Sequence, residues 1–416
     1  MKISNIYAQE VLDSRGNPTV ECTVELECGI QESAIVPSGA STGTYEAIEL
    51  RDGDKDRYMG KGVLKAVENV NTKISEVIVG MEVENQEEID SAMIALDGTS
   101  NKSELGANAI LSVSMACTKT AAKYLDIPLY EYIAQISSNS IEEYEMPVPM
   151  VNVLNGGAHA QGASDIQEYM IIPVGASNIQ QAIQWSSECF HNLGIILKDM
   201  GYPTTVGDEG GYAPSLGSNE KPLELIVQAI EKSGLKPGED MCIGIDAAAN
   251  EFYKDGKYEL KAEGRSLTTE ELLDMYVSWT EKYPLISIED EFSEDDWDGF
   301  VMLEKKLGED IIHIGDDLYV TNIERLEKGI EMEATNSILI KLNQIGSVSE
   351  TIKTIQRAEE EGMRCIISHR SGETEDTFIA DFAVGTAVGF IKTGSMSRSE
   401  RVGKYNRLMR IERELE

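Results

Sequence analysis

From Val20 to Val36 the stretch TVECTVELECGIQESAIVPSGAS alternates apolar and polar side chains, with Gly29 in the middle. A period of two with a glycine break predicts a half-buried β-hairpin. The period then lengthens. GKGVLKAVENVNTKISEVIVG places Val63, Val67, Val70 and Ile74 at helical spacing. GANAILSVSMACTKTAAKYL predicts a further helix, rich in small residues and stopped near Pro128. A polar segment, QISSNSIEEYE, leads into MPVPM. The chain is therefore expected to divide near residue 140, into a smaller α+β domain (1–135) and a larger second domain (140–416).

Beyond that point short apolar runs recur between helical stretches. They are Cys242–Ile245, Leu285–Ile288, Ile311–Ile314, Ile338–Ile340, Cys365–Ile367 and Gly389–Ile391. Most are spaced by about 25 residues, the size of one βα unit. The pattern predicts an α/β fold, either a closed (β/α)8 barrel of the TIM type or an open doubly wound sheet. No GxGxxG follows any of the runs, which weakens the dinucleotide-binding form of the open sheet.

Each run ends on a charged or polar side chain. In order these are Asp246, Glu289, Asp316, Lys341, the cluster His369-Arg370-Ser371, and Lys392. A single charge at a strand end is an ordinary exit to solvent. Six in succession, three acids and then three basic clusters, fit convergence on the C-terminal face of a barrel, where such folds carry their chemistry. Three converging carboxylates repel one another unless a cation lies between them. Oxygen-only ligation suits Mg²⁺ better than Zn²⁺. The basic set can hold an anion, with Arg370 offering a two-pronged fork beside the Ser371 hydroxyl. Lys341, at the end of SILIKLNQIGS, is expected to have its pKa lowered by Lys392 and a cation, and so to act as a base. The reaction class this points to is metal-assisted removal of a proton beside a carboxylate.

Overall charge sharpens the picture. The 416 residues carry 73 acidic and 36 basic side chains, a formal net charge of −37. Nucleic acid and anionic membrane are poor partners for such a surface, and an anionic substrate needs a local basic pocket. Six cysteines without CxxC spacing read as reduced thiols. No apolar run approaches the roughly 18 residues of a membrane span, and no signal-like start is seen. A cytoplasmic protein is expected.

Three loops complete the candidate site. TVGDEGGYAP carries Glu209, a candidate acid opposite the lysine. NGGAHAQGASDIQEY carries His159, Gln167 and Glu168 near glycines. VPSGASTGTYEA is a small-residue loop with three hydroxyls, read as either a plain flexible turn or a lid that closes over phosphate. Of the other histidines, His191 and His313 are expected to serve packing.

Together these stretches resemble the enolase family. The matching segments are DSRGNPTVE, PSGASTG, NGGAHA, GDEGGYAP, SIED, GDDL, KLNQIG, SHRSGETED and IKTGSMSRSER, in order from residue 13 to 401. The resemblance implies a modified eight-stranded TIM-type barrel behind a smaller α+β domain, with its first units out of βα order. It implies reversible dehydration of 2-phosphoglycerate to phosphoenolpyruvate, two Mg²⁺ per site, and a homodimer or octamer. Asp246, Glu289 and Asp316 would bind the first Mg²⁺. Lys341 would remove the α-proton. Glu209, supported by Glu168, would assist loss of the hydroxyl, with His159 near the substrate. Lys392 and Gln167 would meet the substrate carboxylate. Arg370 and Ser371 would hold phosphate, with His369 alongside. Ser41 would join the second Mg²⁺ to the phosphate.

Some positions depart from the family pattern. Glu291 stands where a neutral residue is expected, and is read as pointing outward. Asn250 replaces a usual serine and is expected to be tolerated. The chain ends at Glu416, short of the usual tail whose terminal lysine is linked to plasminogen binding, so that role is not carried over. A phosphonate-acting paralogue, a sugar-acid dehydratase and a non-catalytic scaffold are the rival readings. Retention of Lys341, Glu209 and the three acids argues against the scaffold.

Overall fold

The computed structural model describes residues 1–39, 43–139, 144–157, 160 and 164–416. Near the N-terminus three antiparallel strands form a sheet: β1 (Ile3–Leu12), β2 (Pro18–Leu26) and β3 (Gln31–Ile35). The predicted hairpin is β2–β3, and Gly29 at its turn has φ of 85°. Strand β1 had no counterpart in the sequence reading. Helices follow, and the long one, Ala107–Leu125, packs its small residues against β2 and β3. Those small side chains let helix and sheet approach closely, and 15 of its residues are buried. The segment from Leu64 to Ile78 is helical as expected, but it passes through a π-type stretch at Val70–Ile74.

The second part is a closed barrel, so the open-sheet alternative falls. Its strands are β4 (Val148–Asn155), β5 (Glu168–Ile172), β6 (Cys242–Asp246) and, after a small meander of β7 (Tyr253–Lys254), β8 (Lys257–Leu260) and β9 (Arg265–Leu267), β10 (Leu285–Glu289), β11 (Ile312–Gly315), β12 (Ser337–Ile340), β13 (Arg364–Ser368) and β14 (Phe390–Lys392). Strand β5 runs antiparallel to both β4 and β6, and the other pairings are parallel. Two helices, Ile179–Asp199 and Lys221–Lys232, separate β5 from β6. The start is thus ββαα before regular βα units take over.

Barrel side chains alternate between the lumen and the surrounding helices. Met150, Met170, Ile172, Cys242, Ile312, Ile314, Leu339 and Ile366 form their own apolar cluster, distinct from the core under the helices. Two residues further along the same faces come Asp316 after Ile314, Lys341 after Leu339, and Ser368 and Arg370 after Ile366. One alternation therefore builds an apolar plug and, above it, a charged floor. Because β5 is reversed, its first residue, Glu168, reaches the same end and pairs in register with Asp246.

The two parts are stitched together. Ser38 and Gly372 exchange backbone hydrogen bonds at 2.8 Å each way, and Ser14 N–H donates to the Glu373 carbonyl at 2.7 Å. Among the described residues, no helix is long and apolar enough to cross a membrane.

Candidate active site

Strand β12 ends at Ile340, and Lys341 leads straight into a short helix, Leu342–Ile345, closed by Gly346. Gly346 has φ of 95°, and an added Cβ would come within 3.0 Å of Ala107. This fixed turn sets the lysine at the rim of the lumen. Lys341 Nζ donates to Asp316 Oδ2, whose other oxygen accepts from Gln344 Nε2 at 2.9 Å.

Lys392 occupies the middle of the acids. Its Nζ lies 2.9 Å from Asp246 Oδ2, 2.9 Å from both oxygens of Glu289, and 3.2 Å from Glu168 Oε1. Gln167 Nε2 donates weakly to Asp246 Oδ2 at 3.4 Å. Glu209 accepts from Asn152 Nδ2 at 3.0 Å, and His369 Nε2 is 3.5 Å from the same oxygen. Arg370 forks onto both oxygens of Glu46, at 3.0 and 3.1 Å, and also donates to Asn343 Oδ1 at 2.9 Å. A single cleft is lined by Gln167, Glu168, Glu209, Asp246, Asp316, Lys341, His369, Arg370, Ser371 and Lys392. Glu289 lies beneath it, wholly buried on Lys392. Of the sequence-predicted residues, Ser41 and His159 lie outside the described residues.

The electrostatics follow from crowding of like charge without water. Burial and then neighbouring Glu209 push the Glu168 carboxyl well above the carboxylate range, against the pull of Lys392. Burial and Asp246 do the same to Glu289. Asp317 is raised to about 8 by burial and by Asp316. Asp316 itself is lowered, because Lys341 more than offsets its burial. Lys392 is held well above its ordinary value by the acids around it, although burial works against the charge. The expected lowering of Lys341 called on a cation as well as Lys392, and the protein groups alone do not produce it. Burial lowers it and Arg370 assists, but Asp316 and Glu289 outweigh them and the ammonium is stabilised. The partner acid, rather than the cationic neighbours, decides the balance.

Acidic clusters at this end of the barrel fit a metal site. Asp246, Glu289 and Asp316 are buried carboxylates at the ends of three adjacent strands, and two ammonium groups supply the positive charge among them. Among the described residues, ligand atoms lie within 4.8 Å of one another in two groups, Asp290, Asp316 and Asp317, and Glu168 and Glu209 with a ring nitrogen of His369; Asp246 and Glu289 belong to neither.

Several contributors escaped the sequence reading. Asp290 accepts from the backbone N–H groups of Asp316 and Asp317 at 2.9 and 2.7 Å, and holds a left-handed φ of 44°. That conformation is strained for a side chain-bearing residue. Its consequence is that Glu291 leaves the lumen face. Glu291 does turn away from the cleft, but not into solvent: it is buried against His313, which also bonds Glu304 at 2.8 Å and stacks on Phe300. His313 is thus one centre of a buried charge cluster rather than plain packing. His191, by contrast, is exposed and meets the ring of Phe190 in a T-shaped arrangement. Asn152 had a signal in retrospect, as a polar residue two beyond Met150 on the lumen face. Asn250 is accommodated, accepting from the Ser293 hydroxyl at 2.9 Å.

A TIM-type barrel with buried carboxylates and ammonium groups at its strand ends defines a barrel protein with a charged site on its C-terminal face. The family model described as the enolase C-terminal TIM barrel domain matches residues 143–416, and that for the enolase N-terminal domain matches residues 3–133. The chain therefore belongs to the enolase family, an enolase-type hydro-lyase of a family that depends on a divalent metal.

Proposed function

We propose that this protein catalyses the reversible dehydration of 2-phospho-D-glycerate to phosphoenolpyruvate in glycolysis and gluconeogenesis, using Mg²⁺. The observation that carries this reading is one cleft lined by a lysine, a pair of acids and an arginine fork. We further read residues 1–135 as a capping domain over a barrel of residues 140–416, and the protein as a cytoplasmic homodimer or octamer.

Asp246, Glu289 and Asp316 would hold the first Mg²⁺, and Ser41 a second one that arrives with substrate. When bound, such cations stabilise negative charge developing on the substrate carboxylate. Lys341 Nζ takes the proton from C2. Asp316 is a main cause that keeps the Lys341 ammonium protonated, so a cation that neutralised Asp316 would favour the neutral, basic amine. Lys392 and Gln167 orient the carboxylate. Arg370 and Ser371 hold the phosphate, with His369 alongside. The C3–O bond then breaks, the C2=C3 bond forms, and the hydroxyl leaves as water with a proton supplied on the Glu209 side. Glu168, protonated well above the usual carboxylate range, supports that delivery. The family motif would put His159 near the substrate.

The test is turnover of purified protein with 2-phosphoglycerate, with Mg²⁺ or excess chelator, followed by ultraviolet absorbance of the enol product. Turnover that requires the metal supports the reading. Absence of turnover in the Mg²⁺-loaded protein overturns it, and phosphonate substrates would be tried next.

A further inference from the structure

The last helix, Ser399–Leu415, opens with a side chain that no role above uses. Arg401 is wholly buried. Its Nη1 donates to the Arg370 carbonyl at 2.6 Å and to Nδ1 of His369. Its Nη2 donates to the Ser371 carbonyl at 2.6 Å and to the Asp208 carbonyl at 3.2 Å. One planar group therefore ties the segment carrying Glu209 to the segment carrying His369, Arg370 and Ser371.

A guanidinium has only donors. The ring nitrogen that faces it must therefore offer a lone pair. Neutral His369 then carries its proton on Nε2, the nitrogen 3.5 Å from Glu209 Oε2. A second proton on Nδ1 would point an N–H at a buried cation. Of the charged neighbours with the largest influence, Arg401 from the last helix disfavours the imidazolium, while Glu209 and Glu373 favour it; Glu168 also brings a carboxylate oxygen within 4.8 Å of a ring nitrogen. Burial is the largest influence, and the ring is held down at about 4.

We propose that Arg401 is a positioning residue of the active site, fixing His369 as its neutral Nε2–H tautomer and clamping that donor against the Glu209 loop. The catalytic consequence rests on the reading of Glu209 as the acid-side group; the tautomer does not.

Selective ¹⁵N-histidine labelling tests this, since the chain has four histidines and loss of one signal in His369→Gln assigns the ring. The expected wild-type spectrum at pH 7 has protonated Nε2 and bare Nδ1. In Arg401→Met the same ring should show mixed tautomers. Arg401→Lys, whose ammonium also donates, should restore the tautomer. With 2-phosphoglycerate, kcat of Arg401→Met should fall roughly ten- to hundredfold with KM changed far less, and Arg401→Lys should lie between. A wild-type His369 protonated on Nδ1, or doubly protonated at pH 7, overturns the proposal. So does an unchanged ring state in Arg401→Met. If that variant does not fold, the wild-type spectrum and Arg401→Lys decide. Failure of wild-type turnover beside an Nε2–H ring would overturn the proposed reaction and leave the tautomer assignment standing.

Discussion

His313 and Glu291 form an ion pair from which solvent is wholly excluded. It lies in the helix layer, since His313 alternates with the lumen-facing Ile312 and Ile314. Burial opposes the imidazolium charge, but Glu291 and Glu304 outweigh it and hold the pKa up at about 9. The unfolded chain has the ordinary value near 6.5. Because the folded pKa is the higher one, the stabilisation is complete below about pH 6.5 and is lost as pH rises through 9. Denaturant unfolding should show about 3 kcal/mol less stability above pH 9 than near pH 6 from this pair. The double variant Glu291→Gln/His313→Gln should lose that slope. An identical pH slope in both proteins would sink the assignment.

Breaking the same pair from one side should be worse than removing it. His313→Gln leaves Glu291 buried without its cation and should cost roughly 3–5 kcal/mol. The double variant should recover much of that loss. A double-mutant cycle by chemical denaturation measures the difference, and simple additivity of the two single changes would count against coupling.

Lys341→Ala should lower kcat by at least about 10²–10⁴-fold, the range for a lost general base. Exchange of the C2 hydrogen of substrate with solvent should stop as well. Continued C2 exchange in the variant would mean that another group takes the proton.

A divalent cation should stabilise the fold, because it relieves repulsion among Asp246, Glu289 and Asp316. At about 100 times its dissociation constant the gain is about 2.7 kcal/mol, read as a rise in melting temperature that chelator reverses. In Asp316→Asn the rise should shrink. A cation-independent melting curve in the wild type would remove these three acids from consideration as ligands.

Arg370→Lys keeps the charge and loses the fork. KM for the phosphorylated substrate should rise roughly tenfold or more, and loss of the buried fork onto Glu46 should lower thermal stability as well. An unchanged KM would place the phosphate elsewhere in the cleft.

Much of this site was legible because period two is a strong signal. Ile338 to Lys341 and Cys365 to Arg370 announced both the strand and the lumen-facing charge at its end. The reversed strand was not legible: EYMII reads the same in either direction, and only pairing with β4 and β6 shows why Glu168 sits at the start rather than the end. Glu291 was misjudged for a local reason. The left-handed backbone at Asp290 breaks the alternation after Glu289, and nothing in the residue type of an aspartate announces that turn. Arg401 was invisible because its partners are mostly carbonyl oxygens, which every residue has.

The paired bonds between Ser38 and Gly372 bear on how this enzyme can be taken apart. Gly372 follows the anion-holding pair Arg370 and Ser371, and Glu46 of the first segment supplies the carboxylate on which Arg370 is forked. A barrel expressed alone would keep its strands and lose the splint on that loop. Transplanting the barrel into another scaffold, or evolving it apart from its partner, therefore means carrying two distant stretches of chain as one heritable part.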